Sequence, residues 1–370
     1  MLFARNLIRS HDADTGFDAD HVVVARLGFV EGRYAEESRE AFLRQAVERL
    51  ERIPTVERAS FSRGVPLTLR SGATTGTEMS IEGHGGPFNV TYQANPVGPG
   101  YFSAMGIQLR RGREFLPADR PGAPAVAIVN EEFVRRYIHD LDPIGLRLML
   151  PGAGDAYPAE IVGVVANSKH RSIGEAQQPA IYEAFLQRVR GGRVLHVLAR
   201  VRDSGGAPIR DIRQALLQLD PTASAEVESM PDALAFAFLP SQVGAVLLGT
   251  LGALGLVLAM AGLFAVVSYA VSRRTVEIGI RVAMGATPSA VMKLVLRDAA
   301  VLAGSGIVVG SILARFVTTP LSAFLVTGLD AHDPVTFAGT AALLGSISLL
   351  AAWLPARRAL RIDPVLALRH

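Results

Sequence analysis

The chain has 370 residues, is 49% hydrophobic and 19% charged, carries a formal net charge of +3, and contains no cysteine. The missing cysteines exclude disulfides, thiolate metal sites and cysteine nucleophiles. The isoelectric point lies near 9.4, yet the arginines cluster beside apolar segments without interleaved aromatics, which argues against a nucleic-acid partner.

The chain opens on MLFARNLIRS, an apolar and basic piece too short to span a membrane and lacking the small-residue cleavage site of a signal peptide. Residues 1–20 are read as the remnant of a preceding membrane helix and a linker. Asp12, Asp14, Asp18 and Asp20 invite a calcium reading. An EF-hand loop needs glycine at its sixth position and glutamate at its twelfth, and counting from Asp12 those places hold Phe17 and Val23. The stretch is read as a solvated loop.

Residues 21–232 have the mixed composition of a globular domain. Val22, Val23 and Val24 open a strand. Ala41, Phe42, Ala46, Val47 and Leu50 recur at helical spacing, Pro54 ends that helix, and Val56 to Phe61 form the next strand. Residues 194–228 repeat the plan, with Ile209, Ile212, Leu216 and Leu219 on the helix between two strands. Two such units predict an α+β sandwich of the split βαβ kind. Between them lies an inserted, mostly β subdomain, about 64–190. Its strands are expected at 88–93, 126–130, 146–150, 160–165 and 180–185, and Asn130 is expected to cap a helix over Glu131 to Tyr137. His84, His139, His170, His196 and His332 show no metal-ligand spacing, so neither metal nor cofactor is expected.

From Ala233 to Ser272 there is no Asp, Glu, Lys, Arg or His. Such a step in composition marks a change of solvent from water to lipid. Residues 233–370 are therefore read as an α-helical membrane domain with three transmembrane helices, at about 243–271, 290–319 and 334–354. Gly306 and Gly310 form a Gly-xxx-Gly pair on the second, a spacing that permits close helix packing. Arg315 is placed near an interface, where its stem can snorkel, and Trp353 anchors the end of the third span. The connection 272–298 holds Arg273, Arg274, Arg281, Lys293 and Arg297, and the tail holds Arg357, Arg358, Arg361 and Arg369. The connection 320–333 holds neither Lys nor Arg. By the positive-inside rule the first connection and the tail are cytoplasmic, and the large N-terminal domain is outside.

The stretch from Ser272 to Pro288 reads SRRTVEIGIRVAMGATP. It predicts a short helix ending at Met284, with Gly285 as its terminating residue and Thr287-Pro288 opening the next helix. A short helix joining two spans is a lever that moves both. This stretch resembles the coupling segment of MacB/FtsX-type ABC transporter permeases. The tail Pro355-Ala356-Arg357-Arg358-Ala359, followed by Ile362-Asp363-Pro364-Val365-Leu366, is similar to the same family's C-terminus. Pro99-Gly100-Tyr101-Phe102, Met105-Gly106-Ile107, Arg111-Gly112-Arg113, Val126 to Glu131, Asp142-Pro143-Ile144-Gly145 and Ile161 to Val165 resemble its periplasmic domain. Asp14-Thr15-Gly16-Phe17 is similar to the start of that domain in the duplicated orphan permeases, and the chain resembles the C-terminal half of such a protein.

The resemblance implies a multi-pass protein of the bacterial inner membrane, in contact with lipid, with its large domain in the periplasm. It implies a cytoplasmic ABC ATPase as partner, docked through Glu277, Ile278, Gly279, Arg281, Met284, Gly285 and Ala286. It also implies a homodimer or fused pseudo-dimer, and a periplasmic substrate or partner protein. No Gly-Lys pair occurs anywhere, so no P-loop is present. Nor is there a G-x-S-x-G or H-E-x-x-H motif, so no enzyme is expected and ATP hydrolysis falls to the partner. The alternative is a non-transporting envelope scaffold or regulator. A membrane-tethered periplasmic enzyme is a third reading.

Overall fold

The computed structural model describes residues 14–28, 36–68, 73–139, 141–152, 155–173, 175–188, 194–203, 206–220, 224–274, 280, 284, 287–318 and 334–359. Contacts divide the chain into two compact units, one spanning Asp12–Leu239 and another that takes in Pro240–His370.

In the first unit, strands β1 (Val22–Gly28), β2 (Val56–Ser62), β10 (Val194–Val201) and β11 (Ser224–Ser229) lie in the order β11-β1-β10-β2. Every pairing among them is antiparallel. This is the split βαβ arrangement: β1 connects through helix α1 (Glu36–Leu50) to β2, with β10 between them. Helix α5 (Gly206–Leu219) links β10 to β11 in the same way. Val23, Ala25 and Leu27 alternate along β1 onto one face. There they are buried with Leu43, Ala46 and Leu50 of α1 and Ile212 and Leu216 of α5. Val22 and Val24 on the opposite face are buried too, and α2 (Tyr101–Met105) contacts β2 and β10.

The inserted segment closes on itself. Strands β4 (His84–Val97), β3 (Ala73–Ile81), β7 (Arg147–Leu150), β8 (Tyr157–Val165), β6 (Val126–Asn130) and β9 (Ala180–Ala184) follow one another in that spatial order. A parallel pairing of β9 with β4, Gln93↔Ala180 to Val97↔Ala184, completes the ring. A closed ring removes free sheet edges. Its interior is filled by Met79, Val90, Tyr92, Ala127, Val129, Leu148, Ala159, Ile161 and Ile181, with Phe133 packed among them. Strand β5 (Leu109–Gly112) pairs outside the ring with β8.

Some local expectations change. Strand β3 falls where the sequence reading names no strand: Thr74, Thr75, Gly76 and Thr77 show no apolar alternation, and the strand is fixed by its long register with β4. The helix expected over Glu131–Tyr137 is one α-helical turn, α3 (Glu131–Phe133), followed by a π-helical turn, Val134–Ile138. The His139 amide reaches back five residues to the Val134 carbonyl at 3.0 Å, and His139 has φ 50°. The expected cap is present: Asn130 Oδ1 accepts the Phe133 amide at 3.0 Å. At Gly16, with φ +78°, a Cβ would lie 2.2 Å from the Asn167 carbonyl oxygen, so the backbone there passes closer than any side chain allows.

The first long apolar helix starts earlier than the sequence reading has it. It runs as α6 (Met230–Arg273) and is continuous with β11 in the chain. α7 (Pro288–Thr318) and α8 (Pro334–Ala359) complete the described helices. Residues 1–13, most of the expected remnant, lie outside the described residues.

Candidate functional site

Two helical stretches are long and apolar enough to cross a membrane, Val246–Arg273 in α6 and Met292–Phe316 in α7. A third, Phe337–Trp353 in α8, is apolar but shorter, below the roughly 20 residues a span usually takes. The expectation of three spans is thus met in full at two helices. Pro334–Ala359 is continuous helix, and 337–353 is its apolar stretch among the described residues.

At the Arg273 end these helices close up. Val267 and Val271 of α6, Ala299 of α7 and Ala352 of α8 are buried against one another, with Leu263, Val295 and Leu296 around them. The small side chains at 299 and 352 let the backbones approach. Charged and aromatic groups ring this end. The Arg273 guanidinium stands 5.6 Å from the Tyr269 ring centroid, and Arg357 stands 5.2 Å from that of Trp353. Arg274 Nη1 donates to Asp298 Oδ2 at 2.9 Å, tying α6 to α7. Aromatic rings beside arginines are what a membrane–water interface selects.

Toward the other end the helices part around a cavity of about 680 Å³. Ala259, Gly262, Gly306, Gly310, Phe337 and Thr340 are among the residues that line it. The expected packing pair lies on this wall. A Cβ at Gly306 or Gly310 would meet no atom within 4 Å, so among the described residues no helix packs closely on either glycine. α7 and α8 pack on each other, while α6 meets them at its Arg273 end and borders the cavity beyond it.

Of the expected docking residues, Glu277, Ile278, Gly279, Arg281, Gly285 and Ala286 lie outside the described residues. Met284 is described: its side chain is 82% exposed, and its amide donates to the Ile280 carbonyl at 2.9 Å, a helical spacing. The sequence reading took Arg274 only as a stop and a topology signal and passed over Asp298. The available signal was a carboxylate just before the uncharged run 299–314, with basic residues at the end of the preceding span.

The extramembrane unit holds its own polar sites. Asp18 sits between His21, at 2.9 Å, and Arg200, at 2.6 Å. Burial works against its charge, but bonds from His21 and Arg200 outweigh that and hold its carboxyl below the usual range. Bonds from Arg135 and Arg136 depress the buried Glu132 likewise. His170 is buried beside Tyr182, ring centroids 6.2 Å apart, and burial drives its pKa down to about 4.

Residues 7–227 match the family described as the MacB-like periplasmic core domain, and residues 249–364 match the FtsX-like permease C-terminal family. Among curated proteins, the chain is 26% identical over 281 residues to the macrolide export ATP-binding/permease protein MacB of Azoarcus sp., covering 74% of this chain and 42% of that protein. It is 26% identical over 305 residues to the protein of the same name from Salmonella typhimurium, covering 80% of this chain and 46% of the relative. The chain thus spans under half the length of these relatives. Among solved structures, the periplasmic region of MacB from Actinobacillus actinomycetemcomitans aligns with a TM-score of 0.39 at 13% identity, over 59% of this chain and 92% of that one. With one family matched across more than half the chain and the second across the helices that follow, the chain belongs to the MacB/FtsX-type ABC transporter permeases.

Proposed function

We propose that the chain is a permease subunit that couples ATP hydrolysis by a cytoplasmic partner ATPase to work in the periplasm. That work is export of a periplasmic substrate or mechanical transmission to a periplasmic partner. The observation that carries the reading is the pinned end of the helix bundle. The segment 275–287 joins α6 to α7 at the end where they meet, and its Met284 side chain is 82% exposed. Force applied to that segment reaches both spans at once.

In this reading Glu277, Ile278, Gly279, Arg281, Met284, Gly285 and Ala286 form the docking surface. The Arg273 end faces the cytoplasm of a bacterium, in its inner membrane, and α8 is a third span. The cavity wall at Gly306 and Gly310 faces a further helix, from a second copy or a fused half. Glu277→Arg and Gly285→Trp test the docking surface. Pull-down of the ABC ATPase should fall at least roughly fivefold in both, the size of a modest coupling energy. Unchanged association and unchanged ATPase stimulation in both variants would defeat the docking role.

A second reading is an envelope scaffold that binds a periplasmic partner without ATP cycling. An ATPase that neither binds nor responds to the full chain in liposomes favours the scaffold.

A further inference from the structure

Asp298 is the side chain the coupling reading leaves without a task. It follows Lys293 and Arg297 in the charged first turns of α7, just before the uncharged run 299–314. Its partner is Arg274, in the turn that ends α6, at 2.9 Å. Arg273 beside it is turned to the Tyr269 ring instead. The pair flanks a small gap of about 90 Å³ whose walls include Val267, Val271, Val295 and Ala299.

Both side chains are about half exposed, 54% and 56%. An ion pair so open to water or headgroups adds little to stability. What it does supply is direction: one charge on each helix, facing each other at the base of segment 275–287. Apolar contacts such as Val271 against Ala299 are non-directional, whereas the ion pair sets one facing residue on each helix.

We propose that Arg274 and Asp298 form a positioning pair that locks the rotational register of α6 against α7. Movement of the segment between them is then conveyed to both helices as one body and appears at the open end lined by Gly262, Gly306 and Gly310. The force-transmitting part rests on the coupling role proposed above; the locking part does not.

The absence of native cysteine makes the test direct. The full chain carrying Ser272→Cys and Val301→Cys is spin-labelled in liposomes, and the distance distribution across α6 and α7 is measured. The wild-type pair gives one narrow distance. Asp298→Arg broadens it about twofold or more, and the swap Arg274→Asp with Asp298→Arg narrows it again. With the ATPase added, Asp298→Arg lowers stimulated hydrolysis by roughly fivefold or more while pull-down of the ATPase is unchanged, and the swap restores hydrolysis. A swap no better than Asp298→Arg alone, or a single variant identical to wild type in distance and hydrolysis, overturns the proposal. If the wild-type chain neither binds nor stimulates the ATPase, the coupling reading fails, and the distances alone decide the locking.

Discussion

Asn130 shows how much one side chain settles. Its Oδ1 accepts the amides of Phe133, at 3.0 Å, and Ala180, at 2.8 Å, while its Nδ2 donates to the Gln178 carbonyl at 2.8 Å. It caps α3 and fastens that turn to the entry of β9. Asn130→Ala leaves two buried amides and the Gln178 carbonyl without this partner, and should cost about 2–4 kcal/mol, read as a lowered urea midpoint of the extramembrane unit. The cap was legible in the sequence as an asparagine between an apolar strand and a Glu-Glu pair. Its second bond to Ala180, 50 residues away, was not, because no local pattern reports a tertiary partner. His170 was equally silent: in sequence it is one scattered histidine, and only burial gives it a pKa of about 4. The unfolded chain takes up the proton first, near the ordinary pKa of about 6.5. Stability attributable to His170 is therefore whole above pH 6.5 and falls as the pH drops toward 4, by about 3 kcal/mol. His170→Gln should flatten that dependence; an unchanged slope between pH 6.5 and 4 would assign it to other groups.

At the scale of elements, legibility followed period and length. The strands β1, β6 and β8 are apolar runs bounded by turns, and α5 carries Ile209, Ile212, Leu216 and Leu219 on one face; both signals are local. β3 carries almost none, since Thr74, Thr75 and Thr77 flank Gly76, and it exists because β4 offers a long register. The π-helical turn at Val134–Ile138 is also a tertiary result, with Phe133 and Ile138 both buried in the barrel. The long helices were the easiest to read, yet their arrangement was not. The Gly306–Gly310 spacing implied a packed face, and the structure puts that face on a cavity. Filling it therefore separates two costs. Gly306→Leu should leave the thermal midpoint of the isolated chain in detergent within about 2 °C, since nothing lies within 4 Å of the new Cβ. The same change should reduce the dimer fraction severalfold if a second copy seats its helix there. A large loss of midpoint would show that α6 or α8 closes on the glycine after all.

For the molecule as a whole, the two families meet within one chain: a periplasmic core domain over 7–227 and a permease region over 249–364. Composition alone located that transition, because 40 consecutive residues free of charge and histidine, Ala233 to Ser272, have no place on a water-soluble surface. What composition left open was how a bundle with so few buried side chains transmits anything. In the coupling reading proposed above, α6 meeting its neighbours at one end and bordering a cavity at the other turns a push on the joining segment into a change in width. That conversion is the central claim. Its most direct test places spin labels at Val257→Cys on α6 and Ile312→Cys on α7, toward the open end, in the full chain reconstituted with its ATPase. The account predicts that the distance between them shifts between the ADP-bound and ATP-bound states, while the Ser272–Val301 distance at the pinned end stays fixed. Identical distances at the open end in both nucleotide states would contradict it.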